Sequence, residues 1–467
     1  MQWFEAVVSE KKRRDRRLGP VALFFGMVLY AAGGLRNLCA ALGDALACLE
    51  SGPPKSLSKG SVCPARERIP ATVLRQGWQH VCTSIEALLS RPLLSNLVVR
   101  TIDGTSFSVA DTPSNDEAYG RPGSARSKAA FPKLRSVLVM DAASHMFIEE
   151  AHGAFDRCSE AELTDEILPR IVDVGILLEA DRGFYSFKRV CTVLCLGGEL
   201  LVRCKSNLKL PVLAELPDGS YMTFIRSNKL QRSSKRQAKL QAKLSELDTA
   251  ELMERARAER IELLGNEADE LPESFLMRVI EYDVIDSAGK RSKTRLLTSI
   301  LEPEALPAEQ ASSGYHLRWG EEVGIREVKW LCDEFRIPQL PGRSPDSVEQ
   351  DYAAVLLAHS VLRATMLLAA KEHGQDPSRL SLSGARAVLS RYIPRLPHVP
   401  PSRQNLWFSE LLCEVARHRL PLPQDRVCPR AVKVKMSKWP TKIRSKSPPS
   451  APAFRQFEFR SVPASVP

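Results

Sequence analysis

The sequence predicts an α/β protein: a mixed sheet flanked by helices, with a β-rich insertion, an N-terminal helical domain and a C-terminal helical region. Three observations predict it. From Asn96 to Cys204 the chain reads strand, strand, strand, helix, strand, helix, strand, an order that lays helices on the faces of a mixed sheet. A helix-like segment, Gly314 to Arg336, follows an interruption of largely strand-like texture at 205–313. The regions before and after carry the apolar spacing of packed helices.

The first 95 residues read as helical, with a break at Ser51 to Ser61. A basic run, Lys11 to Arg17 (KKRRDRR), precedes an apolar run from Pro20 to Gly34, the arrangement of a signal peptide or anchor. Gly26, Gly33 and Gly34 dilute that run, and it falls short of the roughly 20 residues that span a bilayer. Arg36 and Asp44 interrupt the next stretch, while Leu35, Leu38, Leu42 and Leu46 continue a helical pattern. The expectation is a helical bundle, not a membrane segment, whose basic start meets DNA phosphates.

Leu97 to Val109 is the first predicted strand, and the Pro/Gly/Ser-rich stretch Asp111 to Arg126 reads as a loop. Leu134 to Asp141 and His145 to Ala151 are strands joined by a tight turn. Ser159 to Val174 is a helix, with Ser159 as N-cap and Glu162 completing a capping box. Ile176 to Ala180 (ILLEA) is a short apolar strand ending at Asp181; Phe187 to Leu196 is a helix and Glu199 to Cys204 a strand.

Within the interruption, Tyr221 to Ile225, Phe275 to Ile285 and Thr294 to Leu301 are strand-like, and Asp218-Gly219 and Ala288-Gly289 mark turns. Lys229 to Leu264 reads as one long charged helix, its first half strongly basic, and is expected to be a solvated face. After Arg336, Pro338 to Pro345 reads as a linker. Asp351 to Glu372 is an amphipathic helix, with further helices at Ser383 to Tyr392 and Gln404 to Arg419. From Arg430 the tail holds nine Lys/Arg against one acid, Glu458, and reads as disordered. The expected organisation is therefore a DNA-binding helical domain at 1–95, a catalytic core opening at 96–204, an insertion at 205–313, a returning core helix at 314–336, a helical region at 337–425 and a basic tail at 426–467.

The chain has 467 residues, room for about three domains at roughly 150 residues each. Its net charge of +11 favours a polyanionic partner, nucleic acid before membrane surface. Eleven cysteines without a CxxC pair read as reduced thiols of a cytoplasmic protein. The chain has no G-x-S-x-G elbow, no HExxH and no Walker A sequence, so neither acyl hydrolysis nor a nucleotide cofactor is expected.

Tyr315, Arg318, Glu322 and Lys329 fall at Tyr-x2-Arg-x3-Glu-x6-Lys. On a continuous helix, at about 100° per residue, all four lie within about 60° of arc, and Arg326 joins them. Leu317, Val328 and Leu331 project from the far side, and Glu321 points towards it, which leaves Glu322 as the acid in register. Asp103 and Asp181 sit at or near the ends of predicted strands. If the first and fourth strands pair, those ends meet, and the helix adds Glu322. Three carboxylates converging from distant sequence suit hard divalent cations, and two such ions can drive in-line displacement at phosphorus. The cations beside Glu322 would grip the phosphates of the strand being cut. Asp141 also ends a strand and is the rival for the first acid; Asp111 before Thr112-Pro113 reads as a turn former.

These segments together resemble the insertion-sequence-four family of bacterial DDE transposases. The matching text is IDGTSFSVADTPSNDEAYGRPGS from Ile102, ADRGFYS from Ala180, LPDGSYM from Leu216, RLLTSILEP from Arg295, YHLRWGEEVGIREVK from Tyr315 and, near the N-terminus, RRLGPVALFFGMVLY. The likeness covers roughly residues 11 to 395. It implies a ribonuclease H-like core interrupted before the helix of the third acid. It implies Asp103, Asp181 and Glu322 as ligands of Mg²⁺, with Mn²⁺ as substitute, and Tyr315, Arg318 and Lys329 as contacts to DNA at the element's ends. It also implies cutting at terminal inverted repeats, joining of 3′-hydroxyls to target DNA, a homodimer in the synapse and a nucleoid-associated location in a bacterial cytoplasm. The charged helix near 237–270 is longer than the family's usual insertion, and the tail beyond Arg430 has no counterpart. The rival readings are a metal-dependent nuclease on the same core and a catalytically inactive DNA-binding derivative.

Overall fold

The computed structural model describes residues 18–50, 56–89, 93–124, 127–264, 271–285, 291–332, 339–421 and 456–459. The basic run Lys11 to Arg17 and most of the tail after Arg430 lie outside them. Contacts divide the chain into two units: Met1–Val202 with Arg260–Pro272 and Ser313–Leu420, and Arg203–Glu259 with Glu273–Ser312 and Pro421–Pro467.

The first unit opens with four helices: α1 (Pro20–Ala32), α2 (Leu38–Glu50), α3 (Lys59–Arg66) and α4 (Ala71–Leu89). The helical pattern expected to run through Leu35 is broken. Gly34 takes a φ of 79° and Leu35 one of 55°, and the Leu35 amide donates to the Tyr30 carbonyl at 2.9 Å, closing α1. The chain then folds α2 back on α1, and a Cβ on Gly26 would stand 2.2 Å from the Leu42 side chain.

The sheet comes next. Its strands are β1 (Val98–Val109), a short hairpin of β2 (Gly123–Ser124) and β3 (Ser127–Lys128) lying apart from it, then β4 (Lys133–Asp141), β5 (Met146–Ala154), β6 (Ile176–Ala180) and β7 (Glu199–Arg203). The order is β5-β4-β1-β6-β7. β1 pairs antiparallel with β4 and parallel with β6; β4–β5 is antiparallel and β6–β7 parallel. That is the ribonuclease H-like arrangement. A helix absent from the sequence reading, α5 (Pro113–Tyr119), occupies part of the expected loop: Thr112 caps it and Pro113 supplies the fixed φ of a first turn. α6 (Glu160–Ile171) carries the predicted Ser159/Glu162 capping box, and α7 (Phe187–Cys195) follows β6.

The second unit holds β8 (Ala214–Glu215), β9 (Tyr221–Arg226), β10 (Ser274–Ile285) and β11 (Arg291–Thr298), paired antiparallel in that order. Four tail residues, β13 (Gln456–Phe459), pair with β10 at Tyr282–Ile285, so this stretch of the tail is a strand. The fully buried Arg278 donates to Ser220 Oγ (2.8 Å) and the Leu306 carbonyl (2.8 Å), and pairs with Asp218 of the turn before β9. The long charged helix is three helices: α8 (Asn228–Gln231), α9 (Ser234–Ser245) and α10 (Thr249–Leu263). Side chains break it. Ser233 caps α9 through the Arg236 amide, and Asp248 and Glu251 exchange side chain–amide bonds of 2.8 and 2.9 Å at the start of α10.

The chain returns to the first unit through α11 (Ala308–Tyr315), a 3₁₀ turn at His316–Arg318 and α12 (Trp319–Cys332). The expected single helix is therefore interrupted by a 3₁₀ turn inside the signature. The expected linker contains β12 (Gln339–Leu340), parallel to β1 at Ser108 and Val109. α13 (Pro345–Glu372) starts six residues earlier than expected, because Ser344 caps it and Pro345 opens it. It is buried on nearly every side rather than amphipathic. It is long and apolar enough to cross a membrane, yet most of it lies inside the protein against α1, α4 and β5, and against α15 (Gln404–Arg417), which follows α14 (Leu382–Tyr392). One apolar core joins α1–α4, α13 and one face of the sheet, including Trp78, Phe107, Phe147 and Tyr352.

α12 seats on this core through Gly324, where a Cβ would meet Met140 at 2.3 Å and Phe147 at 3.1 Å. It is fastened to α13 by Glu327, which accepts from Arg363 (2.6 Å) and stands 3.1 Å from His359. Arg363→Met should strand a mostly buried carboxylate and cost about 3 kcal/mol. Urea unfolding midpoints check this, and Glu327→Gln on the same background should recover part of the loss.

Candidate active site

The alternation of β1 and β6 builds the site. Ile102 is the Cα partner of Ala180, the last pair of the β1–β6 ladder, so Asp103 on β1 and Asp181 just past β6 follow it directly. β6 stops at Ala180 while β1 runs on to Val109, and β12 rejoins β1 only at Ser108. The β6-side edge of β1 is therefore open from Asp103, and Asp181 leaves the sheet beside it. Side chains alternate across a strand, so Thr101 and Asp103 share one face of the sheet with Glu179 and Asp181. The same face carries Phe107 and Val109, which join the core formed with α12 and α13. Ile102, Leu178 and Ala180 face the other way, towards α6 and α7.

α12 brings the third acid. Arg318, at the end of the 3₁₀ turn, lies 3.5 Å from Asp103 Oδ2 and 3.3 Å from Glu322 Oε1, tying β1 to α12. Burial opposes the Arg318 charge, but Tyr315, Asp103 and Asp181 more than offset it and raise its pKa. Burial also raises the Asp103 carboxyl above its ordinary range; the Gly104 amide, donating at 2.8 Å, and Arg318 pull against it, while Glu322 and Asp181 add to it. Asp181 Oδ1 is buried and has no hydrogen-bond partner among the described residues. As placed, no three His, Cys, Asp or Glu side chains among the described residues stand close enough to hold a metal ion. The donor set nevertheless suits a hard cation. It offers carboxylate oxygens, one of them orphaned, and a guanidinium already compensates negative charge there.

Several residues stand elsewhere than the helical projection placed them. Tyr315 is 7% exposed, and its hydroxyl donates to the Ala180 carbonyl at 3.3 Å. It braces the end of β6 from within. The 3₁₀ turn is the physical reason, because it resets the angular register between Tyr315 and Glu322. The same turn leaves Leu317 exposed rather than on the apolar side, whereas Val328 and Leu331 are fully buried. Arg326 is exposed, donates to the Glu322 carbonyl at 3.3 Å and lies over the Trp319 ring. Lys329 is half-buried, and burial, with Lys133 adding to it, lowers its pKa. Asp141 stands opposite Arg100, three residues down β1 from Asp103, and accepts from the Ser144 amide at 2.7 Å in the β4–β5 turn. That bond occupies one carboxylate oxygen of Asp141 in the turn. Asp111 pairs with Arg121 at 2.5 Å.

Sequence reasoning missed Trp319 and Glu179. Trp319 exposes its indole beside Arg318. Its signal was available as the aromatic inside the signature. Glu179 is the only acid in ILLEA, two residues before Asp181, and strand alternation alone puts it on the site's face. It is 0% exposed, and neither carboxyl oxygen has a partner among the described residues. Burial pushes its pKa up to about 8, with Arg318 opposing. Glu321 is equally buried, and burial, followed by the Asp103 charge, raises it well above the carboxylate range. A second tier of carboxyls thus lies behind the first.

Because the folded-state pKa of Glu179 is raised, its protonated form stabilises the fold at low pH. That contribution is complete below about 4.3, the unfolded value, and is lost as pH rises through about 8. Glu179→Gln should therefore gain melting temperature over the native chain as pH rises from 5 to 8. Parallel melting curves across that range check it; a constant difference would contradict a protonated Glu179.

The chain is similar to known proteins. The transposase InsG of insertion sequence element IS4 from Escherichia coli (strain K12) is 25% identical over 390 residues, covering 82% of this chain and 78% of InsG. A cryo-EM structure of a piggyBac transposase synaptic complex with hairpin DNA covers 89% of this chain and 81% of that one, at 12% identity and a TM-score of 0.38, too low to bear on fold or function. The family model described as the transposase DDE domain matches residues 95–361, which is more than half of the chain and runs from β1 to the middle of α13. The chain therefore belongs to the DDE transposases, enzymes that catalyse DNA cleavage and strand transfer.

Proposed function

We propose that this enzyme cuts DNA at the terminal inverted repeats of an insertion sequence and joins the freed 3′-hydroxyls to target DNA by in-line phosphoryl transfer. In this reading Asp103, Asp181 and Glu322 are the acids that hold Mg²⁺, with Mn²⁺ as substitute. The observation that carries it is the in-register parallel pairing of β1 and β6, which sets Asp103 beside Asp181, together with the Arg318 bridge from Asp103 to Glu322. Ions held by these acids would supply nucleophile activation and stabilisation of the leaving oxygen.

The chain's own residues do the positioning. Arg318 bridges two of the acids, and its fork of donors suits a phosphate as well as a carboxylate. Arg326 and Lys329 present cations along α12, and Arg326 also lies over the Trp319 indole. That exposed ring offers an unpaired base a stacking surface. Tyr315 acts through the Ala180 carbonyl, holding the strand end from which Asp181 leaves. A homodimer in the synapse and a cytoplasmic, nucleoid-associated location complete the proposal.

Asp181→Asn should abolish cleavage of end DNA while leaving binding close to that of the native chain. Gel assays with Mg²⁺ check this, and nicking by the variant would remove Asp181 from the acid set. Supplied with precut ends, the native chain should join them to target; cleavage without joining would mark a nuclease instead. Lys329→Ala should weaken end binding and reduce the slope of log affinity against log salt by about 0.9, one phosphate contact.

A further inference from the structure

The second unit carries a strongly cationic stretch, part of which has no paired carboxylate among the described residues. From Arg226 to Lys243 the chain has seven Lys/Arg and no Asp or Glu. Three of these cations have partners in the fold: Arg226 bonds Gln237, and Lys229 and Arg236 share Glu273. The other four, Arg232, Lys235, Lys239 and Lys243, are exposed, and none is paired with a carboxylate among the described residues. Lys235, Lys239 and Lys243 recur every fourth residue of α9, within about 80° of arc and about 12 Å of length. α9 is held by a narrow apolar seam, Leu244 with the partly buried Leu240, so the lysines project from a fixed rail.

An ordinary solvated helix carries mixed charges, and the neighbouring α10 does so. Its Arg255 pairs with Glu259 (3.0 Å) and its Arg257 with Glu302 (2.8 Å). α9 breaks two local rules at once. Like charges at i,i+4 oppose its formation by a few tenths of a kcal/mol per pair, and Lys235 and Arg236 stand in the first turn, where the helix dipole disfavours cations. Lysines of this kind are point charges without the planar fork that reads a base edge, and no aromatic side chain lies between them. We propose that the Lys235–Lys239–Lys243 face of α9 binds the phosphate backbone of duplex DNA without regard to sequence, and so serves DNA other than the element's own repeats. This rests on the reading of the chain as an enzyme acting on DNA.

The test uses the full chain and its Lys235→Gln/Lys239→Gln/Lys243→Gln variant, which keeps good helix formers at exposed positions. Binding to a duplex of unrelated sequence is followed by fluorescence anisotropy from 50 to 300 mM salt, with melting curves to establish folding. The variant should lose at least tenfold in affinity at about 0.1 M salt, and its salt slope should fall by about 2.7, three phosphate contacts. The corresponding triple Lys→Arg variant should keep the native slope. An unchanged slope and affinity in the folded Gln variant, while both proteins bind the duplex, would overturn the proposal and leave the transposase reading intact. If phosphatidylserine vesicles separate native chain from variant and duplex DNA does not, the face is a membrane contact and the proposal is equally overturned. If the native chain binds no duplex at all, the reading beneath the proposal fails with it.

Discussion

Everything at the site depends on the parallel ladder between β1 and β6. Five consecutive pairs, from Val98–Ile176 to Ile102–Ala180, fix the register, and register decides which face each carboxylate occupies. A slip of one residue would send Asp181 and Glu179 to the α6–α7 side, where Leu178 and Ala180 now pack. The ladder is itself secured from outside the sheet. Tyr315 holds the Ala180 carbonyl, so the last turn before the signature helix and the last residue of β6 are one structural joint.

That joint concentrates negative charge in a place that is partly dry. Asp103 is raised by burial and by its acidic neighbours, and Glu179 and Glu321 lie fully buried behind it. The fold tolerates this in two ways. Burial raises the pKa of both inner carboxyls, which favours their neutral form, and Arg318 stands against the outer ones. α12, which carries Glu321 and Glu322, is fastened down as well. The Glu327–Arg363 pair and the missing side chain at Gly324 do this, binding α12 to α13 and letting it approach Met140 and Phe147.

The charge pattern of the second unit is different. Arg278, fully buried, has a carboxylate, a hydroxyl and a carbonyl as partners, which is how a buried cation is usually accommodated. The α9 lysines are exposed and pair with no carboxylate among the described residues. The contrast within one unit separates cations that hold the fold from cations the fold merely displays.

Much is legible along the chain because it depends on local rules. The apolar run Ile176–Ala180 marks its strand without error, and the capping box at Ser159 fixes the start of α6. The succession of strands along the chain follows from alternation and turn residues, and helical angle tells Glu321 from Glu322. Legibility ends where a local pattern is cut by a competing interaction. Serine and aspartate caps split the charged helix, a 3₁₀ turn rotates Tyr315 inward and exposes Leu317, and Thr112-Pro113 starts a helix inside a Pro-rich loop. By itself the sequence determined the element types and the residues able to bear charge at one face, since periodicity and residue chemistry are local properties. Only the tertiary structure decided that β1 pairs with β6, that Arg318 spans two acids and that Tyr315 supports a strand end, because those features depend on contacts between distant segments and are set by packing.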